Sequence, residues 1–369
     1  MQKKLHILGF FLLVAWSFVL LQSLFPLIKS NPVKGAFLPA KDTTLTWENW
    51  GNGSYQKKKN AYWNDHIGFH SDFVRINNQI DYSFFGKTHA KSVIIGKNGY
   101  LYEKGYVEVL AGRGFIGTLQ MKPKIRKLKA LQDSLAKRNI PVLVILAPNK
   151  ARLYPEYLPD SLQIAPVDSS NYNICVADLK KYNIPYIDVS DWFLKLKPTS
   201  KYPLFAQYGV HWSRYGVALM ADSLTNYLRK QGLYVPKLSY HIAYEKDKDK
   251  LTRSSDYDIG LGLNLIFPAP MDSMPYPIFG YEEEATRQKI APVFLSDSYF
   301  WMFMYEGLAQ GLFGGKWEFW NYGNELWMNK HLIRNIDIHQ AKEELKDNNA
   351  LILITSEVNI ANLGFGLLE

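Results

Sequence analysis

Blocks of helical periodicity alternate with short, wholly apolar runs in the middle and C-terminal parts of this 369-residue chain. Residues 123–139 form the first such block, and residues 140–147 follow it as an almost unbroken apolar run. The periodic block predicts an amphipathic helix, and the run after it is typical of a strand buried on both faces of a parallel sheet. The apolar positions that share one face of the helix are Ile125, Leu128, Leu131 and Leu135.

The same succession continues to the C-terminus. Helices are predicted at 167–182, 217–230 and 338–346, and strands at 184–189, from 291, and at 350–355. Because strands joined by helices in this way pair side by side with the helices on both faces, the alternation predicts an α/β fold with a doubly wound, mostly parallel sheet.

The N-terminus carries a nearly continuous apolar run from residue 7 to residue 28, preceded by Lys3 and Lys4. Its length is that of a membrane-spanning helix, and the two lysines place its start in the cytoplasm. We therefore predict an anchor at residues 1–29 that crosses the cell (inner) membrane once, with the remainder of the chain outside the cytoplasm. A cleaved signal peptide is the competing interpretation.

The organisation after the anchor follows from composition. Residues 30–62 contain scattered proline and glycine with little periodicity, which predicts a juxtamembrane linker. Residues 63–369 are predicted to form one α/β domain. Residues 233–289 are rich in tyrosine, proline and charge, and predict an irregular insertion that shapes or covers a site. Near the start of the domain, apolar residues recur at helical spacing at Phe73, Ile76, Ile80 and Phe84.

Composition and charge limit the classes of ligand that the chain is expected to bind. The net charge is +9, but the basic residues are scattered along helix faces and no nucleic-acid-binding module is present, so no nucleic acid is expected. Aromatic residues make up 15% of the chain, which suits either sugar stacking or an aromatic-rich core. Cys175 is the single cysteine, and His66 and His70 lack a third ligand at metal-binding spacing, so neither metal nor cofactor is expected.

Polar residues that follow predicted strands supply the candidate chemistry. Ser298 lies between a strand and a helix, where a serine serves either as a helix cap or as an exposed nucleophile. His211 lies on a polar loop before a helix, and Asn149 and Lys150 follow the strand at 140–147. Such residues converge at the carboxyl edge of a doubly wound sheet. A serine with a histidine base is the minimum for acyl transfer.

Four motifs in a fixed order carry a resemblance to a known family. They are the hairpin at 93–102, the segment 146–159, Gly209-Val-His-Trp212 and Leu295-Ser-Asp-Ser298, and Glu357 after the last strand also fits. The chain resembles the SGNH-hydrolase-like alginate O-acetyltransferase family. The resemblance implies an enzyme that works outside the cytoplasm, where a Ser-His-Asp triad transfers acetyl groups to an exopolysaccharide. It also implies a membrane-bound O-acyltransferase partner that supplies the acetyl groups, with Ser298 as nucleophile and His211 as base.

The chain departs from the family pattern at two positions. Gly209 stands where the family has the aspartate of its Asp-x-His-Trp motif, and Ser296 stands where it has the glycine of Gly-Asp-Ser. Asp188 or Asp191, at a neighbouring strand end, is a candidate for the missing acid. The alternatives are a backbone carbonyl that holds His211 in a dyad, and a loss of catalysis.

Four further residues are candidates for oxyanion or substrate contacts, with capping or turn formation as the alternative: Asn149, Lys150, Asn321 and Tyr322. Three functions stay open at this point. The chain is an O-acetyltransferase for a cell-surface or secreted polysaccharide, a carbohydrate acetyl esterase that uses the same serine, or a catalytically impaired glycan-binding or assembly subunit.

Overall fold

The structure is a computed structural model that describes residues 2–35, 38–162, 167–244, 255–271, 274–284, 286–341 and 343–369. The chain divides into two compact units. The first comprises Met1–Lys91 and Gly260–Ala269, and the second comprises Ser92–Ile259 and Pro270–Glu369. The boundary predicted near residue 62, between a linker and a single domain, stays a prediction.

The first unit is helical. Its first helix, α1 Gln2–Leu24, includes one 19-residue stretch, His6–Leu24, that is long and apolar enough to cross a membrane. Of the segment predicted to be a linker, residues 47–51 form one helix and residues from 54 begin another that ends beyond residue 62. A reciprocal pair of hydrogen bonds between Thr46 and Asn49 caps the N-terminus of the first. The helices are α1 Gln2–Leu24, α2 Trp47–Gly51, α3 Ser54–His66 and α4 His70–Phe85.

The second unit is built on a main sheet. The strands of this unit are β1 Val93–Ile95, β2 Leu101–Glu103, β3 Val142–Ala147, β4 Tyr186–Asp188, β5 Lys237–Tyr244, β6 Pro275–Glu282, β7 Pro292–Ser296, β8 Glu318–Asn321, β9 Glu325–Met328, β10 His331–Asn335 and β11 Ala350–Ser356. In the described residues the main sheet has the order β10-β9-β8-β7-β11-β3-β4. The neighbouring strands β8, β7, β11, β3 and β4 are parallel to one another, whereas β9 and β10 extend the β8 edge of the sheet in antiparallel fashion. The predicted doubly wound, mostly parallel sheet is confirmed.

The other helices of the described residues are α5 Lys104–Leu110, α6 Thr118–Ala136, α7 Lys150–Leu153, α8 Asn171–Lys181, α9 Val189–Leu196, α10 Arg214–Lys230, α11 Asp258–Gly262, α12 Phe300–Tyr305, α13 Leu308–Phe313 and α14 Ile338–Ala341. The predicted apolar face of α6 is buried in the main core together with alternate side chains of β3 and β11. Burial of these apolar side chains is the main driving force for packing helix on sheet.

The segment predicted as an irregular insertion contains regular structure. Strands β5 and β6 pair antiparallel over their whole length, from Lys237 opposite Glu282 to Tyr244 opposite Pro275. Pro275 and Pro277 hid the second strand from pattern analysis, because proline lacks an N–H and is accommodated only in edge strands. The prediction of an irregular segment was therefore wrong at these strands, and residues 245–254 lie outside the described part of the chain.

The sheet brings three chain segments to one edge. The chain runs outward from β3 to β4, returns to β7 and β8, and finally enters the gap between β7 and β3 as β11. Ser356 at the end of β11 is in register with Ala147 at the end of β3. The residues that follow β3, β7 and β11 therefore share the carboxyl edge, which is where α/β proteins bind ligands.

Candidate active site

Ser298 lies on the tight turn between β7 and α12, and its side chain is half-buried. The preceding residue, Asp297, fixes this turn to the end of β11. Its Oδ2 accepts hydrogen bonds from the backbone N–H of Ser356 at 2.8 Å, the Ser356 hydroxyl at 2.6 Å and the Asn359 amide at 2.9 Å. Ser296 is the last residue of β7 and has the backbone of a strand. A serine therefore fits where the resembling family has glycine.

His211 lies directly beside Ser298. Its Nε2 is 2.9 Å from Ser298 Oγ. The loop that carries His211 leads into α10, which Ser213 caps by accepting a hydrogen bond from the Gly216 N–H at 3.0 Å. The ring of Tyr299 packs edge-on against the imidazole, with 4.9 Å between ring centroids. The pair of residues predicted from the sequence is thus within hydrogen-bonding distance.

A carboxylate holds the other side of the imidazole. Asp258, at the start of α11, has Oδ2 2.6 Å from His211 Nδ1. Its second oxygen, Oδ1, accepts hydrogen bonds from the N–H of Val210 at 2.9 Å and of Ile259 at 2.7 Å. Because a carboxylate only accepts hydrogen bonds, the proton of a neutral His211 lies on Nδ1, and Nε2 faces the serine as an acceptor.

Asp258 replaces the acids that were inferred from the sequence. Asp188 accepts a hydrogen bond from the Tyr172 hydroxyl at 2.8 Å and caps α9, and Asp191 pairs with Lys195 on the surface. Both were chosen because they follow a neighbouring strand, but β4 is the edge strand on the far side of β3 and β11 from β7. The dyad alternative, with a backbone carbonyl facing His211, is likewise replaced by a carboxylate.

Sequence reasoning missed Asp258 because it lies 47 residues after His211, in the segment predicted to be irregular. One signal could have found it. Asp256-Tyr-Asp258 precedes Ile-Gly-Leu-Gly, and acidic residues directly before a short helix are favoured at its start.

Lys150 holds the loop that carries His211 through hydrogen bonds. Its buried ammonium donates to the carbonyls of Leu101 at 2.8 Å, Gln207 at 2.8 Å and Gly209 at 2.9 Å. Burial lowers the pKa of Lys150 to about 7, while the charge of Asp258 opposes this shift. With only 2% of its surface exposed, Lys150 cannot contact a substrate. The candidate substrate contact is thereby corrected to a positioning role.

Lys150→Met should lower the free energy of unfolding by about 3 kcal/mol, because three carbonyls lose their buried donor. Chemical denaturation measures the loss. The matched change at an exposed lysine of α6, Lys122→Met, should shift stability by less than about 0.5 kcal/mol. Equal stability of the two variants would contradict the assigned role of Lys150.

Asn149 and Asn321 also have structural partners. Asn149 is 1% exposed, caps α7 and donates to the carbonyl of Tyr106 at 2.9 Å. Its amide also lies 3.3 Å from Glu357, which is buried and paired with Arg152 at 2.6 Å. Asn321 donates to Glu325 at 2.9 Å. Burial excludes Asn149 as a substrate contact, and the amide of Asn321 is committed to a neighbouring strand.

Tyr322 does reach Ser298. It follows β8 with a positive φ of 50°, an uncommon backbone conformation for a side chain of this size. Only glycine fits at the next position, Gly323, because a Cβ there would lie 2.3 Å from the carbonyl oxygen of Phe365. Burial and the charge of Asp297 raise the pKa of Tyr322, while hydrogen bonds that its oxygen accepts from the side chain and the backbone N–H of Ser298 oppose this shift. The turn therefore places a phenol at the candidate nucleophile.

The histidine pair of α3 and α4 does not form a ligand set. His66 Nδ1 donates to the carbonyl of Tyr62 and His70 Nδ1 to that of Asn64, both at 2.8 Å. Over the residues that the structure describes, no group of three or more His, Cys, Asp or Glu side chains is arranged to hold a metal ion.

Comparison with known protein families finds a match to less than half of the chain. Residues 93–252 match the family described as SGNH hydrolase-like domain, acetyltransferase AlgX. This match includes His211 and ends before Asp258 and Ser298. None of the curated proteins matches the sequence significantly.

Solved structures of similar proteins share little sequence with the chain. The O-acetyltransferase domain of Pseudomonas putida AlgJ is 17% identical, with 73% of this chain and 92% of that one covered and a TM-score of 0.47. Pseudomonas aeruginosa AlgX is 11% identical, with 78% and 72% covered and a TM-score of 0.45. Bacillus cereus PatB1 is 12% identical, with 75% and 98% covered and a TM-score of 0.48.

The matched segment contains the hairpin β1–β2, the segment 146–159 and the His211 loop, which are three of the features on which the sequence resemblance rests. The resemblance is confirmed over residues 93–252, which match the SGNH hydrolase-like domain of the AlgX acetyltransferase family.

Proposed function

We propose that the chain transfers acetyl groups to hydroxyls of a cell-surface or secreted polysaccharide through an acetyl-serine intermediate on Ser298. The observation that carries this proposal is the unbroken hydrogen-bonded series from Ser298 Oγ through His211 to Asp258, with distances of 2.9 and 2.6 Å. This is the geometry of an activated nucleophile whose base is oriented by a third group. The presence of an acid at His211 also argues against an impaired subunit.

The first half-reaction acetylates the enzyme. Ser298 Oγ attacks the carbonyl carbon of an acetyl donor while its proton passes to His211 Nε2. Asp258 stabilises the imidazolium that forms. When the tetrahedral intermediate collapses, the bond from the acetyl carbon to the donor breaks, and the departing group takes the proton from His211. Acetyl-Ser298 and the free donor alcohol or thiol remain.

The second half-reaction repeats these steps with a sugar hydroxyl. His211 removes its proton, the sugar oxygen attacks the acetyl carbon, and Ser298 leaves with the proton returned by His211. The product is an O-acetylated sugar and the enzyme returns to its starting state. A hydrolase would use water at this step, so transfer requires that the acceptor sugar outcompete water.

The environment of His211 predicts a pH dependence. Burial alone lowers the pKa of the imidazole, but the hydrogen bond and negative charge of Asp258 outweigh burial, so the pKa is raised above its ordinary value of 6.5. Because neutral imidazole is the base, kcat/KM should fall as the pH drops through this raised pKa, with the inflection above 6.5. A pH–rate profile with its acidic inflection at or below that value would contradict the assignment.

Tyr322 is proposed to contribute to the oxyanion site. Its oxygen accepts hydrogen bonds from the Ser298 backbone N–H and side chain, so its own O–H lies beside the carbon that Ser298 attacks and can donate to the acetyl oxygen on which charge develops. Tyr322→Phe keeps the ring and removes this donor, so kcat should fall by about 10²-fold while KM changes little. Steady-state kinetics with an acetyl ester measure the effect. An unchanged kcat would show that backbone N–H groups suffice.

Location and partner belong to the same proposal. The apolar stretch His6–Leu24 of α1 and the lysines before it support a single crossing of the cell (inner) membrane with the enzyme domain outside the cytoplasm. Acetyl donors made in the cytoplasm cannot reach such a site unaided. A membrane-bound O-acyltransferase that passes acetyl groups across the membrane, as the family resemblance implies, is therefore the proposed partner.

Product analysis tests the proposal. Purified chain is incubated with an acetyl ester, with and without an acceptor glycan, and acetyl-glycan and free acetate are measured separately. The proposal predicts that glycan addition raises total turnover and that acetyl-glycan is the main product. Acetate as the main product at saturating glycan would establish an esterase instead.

A further inference from the structure

Helix α4 in the first unit exposes an apolar face. Its apolar residues recur three and four positions apart and so share one side of the helix. Their exposed fractions are 47% for Phe73, 45% for Ile76, 47% for Ile80 and 79% for Phe84. A helix that packs on a protein core turns such a face inward, whereas here it points outward.

The polar side of the same helix points inward. The Arg75 guanidinium donates to the carbonyls of Asn31 and Pro32, both at 2.8 Å. Asn78 is buried and donates to the carbonyl of Leu263 at 2.8 Å. Polar side chains thus hold α4 to its own unit, and its apolar side chains are left free for another medium.

The contact of α4 with α1 indicates which medium covers the apolar face of α4. Just before the helix, the Gly68 N–H donates to Ser23 Oγ at 2.7 Å, and a Cβ at Gly68 would lie 2.5 Å from the carbonyl oxygen of Val19. The ring of Phe69 stacks on that of Phe18 with 5.6 Å between centroids. The start of α4 is therefore seated against the C-terminal end of the apolar stretch of α1, which is the outer boundary of the proposed membrane crossing.

A second apolar segment lies beside α4. The backbone N–H of Phe267 donates to Gln79 Oε1 at 2.9 Å, and the side chains of Ile266 and Phe267 are 45% and 71% exposed. Residues 29–91 also carry nine basic and five acidic side chains, an excess that suits a surface of anionic lipids.

We propose that the face formed by Phe73, Ile76, Ile80 and Phe84 lies in the outer interface of the lipid bilayer. This inference rests on the membrane anchor of the proposed function, but it does not depend on the chemistry at Ser298. Amphipathic helices bind at the boundary between headgroups and acyl chains by burying such a face. The chain would then be held by α1 across the membrane and by α4 along its outer surface, so that the first unit has a fixed depth.

Fluorescence labelling of the full chain tests the inference. Ile76→Cys and Ile80→Cys are labelled separately with a nitrobenzoxadiazole dye in vesicles of equal parts phosphatidylcholine and phosphatidylglycerol. Cys175 is fully buried, and the unaltered chain treated in the same way gives the background. Leu20→Cys in α1 serves as the lipid reference. Lys58→Cys serves as the aqueous reference, because the run of three lysines at 57–59 is not accommodated in hydrocarbon.

The inference predicts that labels at Ile76 and Ile80 are quenched by brominated lipids, as at Leu20, and are quenched by iodide several-fold less than at Lys58. Iodide quenching equal to that at Lys58, with Leu20 still quenched by brominated lipid, would overturn the inference and leave the anchor intact. Protection from both quenchers would show that protein covers α4, which also overturns it. Failure of brominated lipid to quench at Leu20 would refute the anchor itself.

Discussion

Ser298→Ala is expected to abolish acetyl transfer, lowering kcat by a factor on the order of 10⁶, as removal of the nucleophile does in other serine enzymes. The reason lies in the geometry. Ser298 Oγ is the oxygen that His211 Nε2 faces at 2.9 Å, and alanine leaves no atom to carry the acetyl group. Glycan binding and folding should persist, because Ser298 lies half-buried on a turn that Asp297 holds independently.

Ser296→Ala provides the matched control. The same hydroxyl is removed two residues earlier, where it donates to the carbonyl of Asp297 at 2.9 Å within the buried end of β7. The cost should be about 1 kcal/mol of stability, with kcat close to that of the unaltered enzyme. If Ser298→Ala transferred acetyl groups at the rate of Ser296→Ala, the catalytic proposal would fail.

Asp258→Asn is expected to lower kcat by about 10⁴-fold, which is the loss in the comparable serine-protease substitution. Asparagine has nearly the same shape, and its oxygen can still accept from the N–H groups of Val210 and Ile259. Its amide, however, donates to His211 Nδ1 and so favours the tautomer with the proton on Nε2. That imidazole cannot take the proton of Ser298, and it also lacks the negative charge that stabilises the imidazolium.

Two observations make this prediction specific to Asp258. The same change at Asp191, an acid that pairs with Lys195 on the surface, should leave kcat unchanged. The residual activity of Asp258→Asn should also show its acidic pH inflection shifted downward, because the groups that raise the pKa of His211 are led by Asp258. Equal activity of the Asp258→Asn and Asp191→Asn variants would return the site to a dyad.

The sequence predicted those elements in which apolar side chains recur at helical spacing or form an uninterrupted apolar strand. The face of α6 and the uninterrupted apolar strands β3 and β11 are buried as expected, because a strand covered on both sides tolerates few polar residues. Ser298 and His211 were found because each follows or precedes such an element directly. Their proximity then follows from the shared carboxyl edge of a parallel sheet.

Asp258 could not be found in this way. Its distance along the chain from His211 is bridged by tertiary packing, and no periodic pattern surrounds it. A triad depends on where a carboxylate lies relative to the imidazole and not on which segment supplies it. The chain therefore has glycine at position 209, where the family has its aspartate, and a different segment, α11, supplies Asp258 to His211 Nδ1.

Helix α4 shows a second limit of pattern analysis. Its apolar spacing at Phe73, Ile76, Ile80 and Phe84 identifies one face of a helix. Periodicity cannot say which way that face turns, because lipid and protein interior attract the same side chains. The exposure of these four side chains and the inward contacts of Arg75 and Asn78 reveal its direction.

Detection of the acetyl group on Ser298 is the most direct test of the proposed mechanism. The purified chain is mixed with an acetyl ester in the absence of glycan, quenched in acid at short times, digested and analysed by mass spectrometry. The proposal predicts one acetylated peptide, which contains Ser298, forms within the first turnover and loses its acetyl group when glycan is added. Transfer of acetyl to glycan with no acetyl on Ser298 at any time would contradict it.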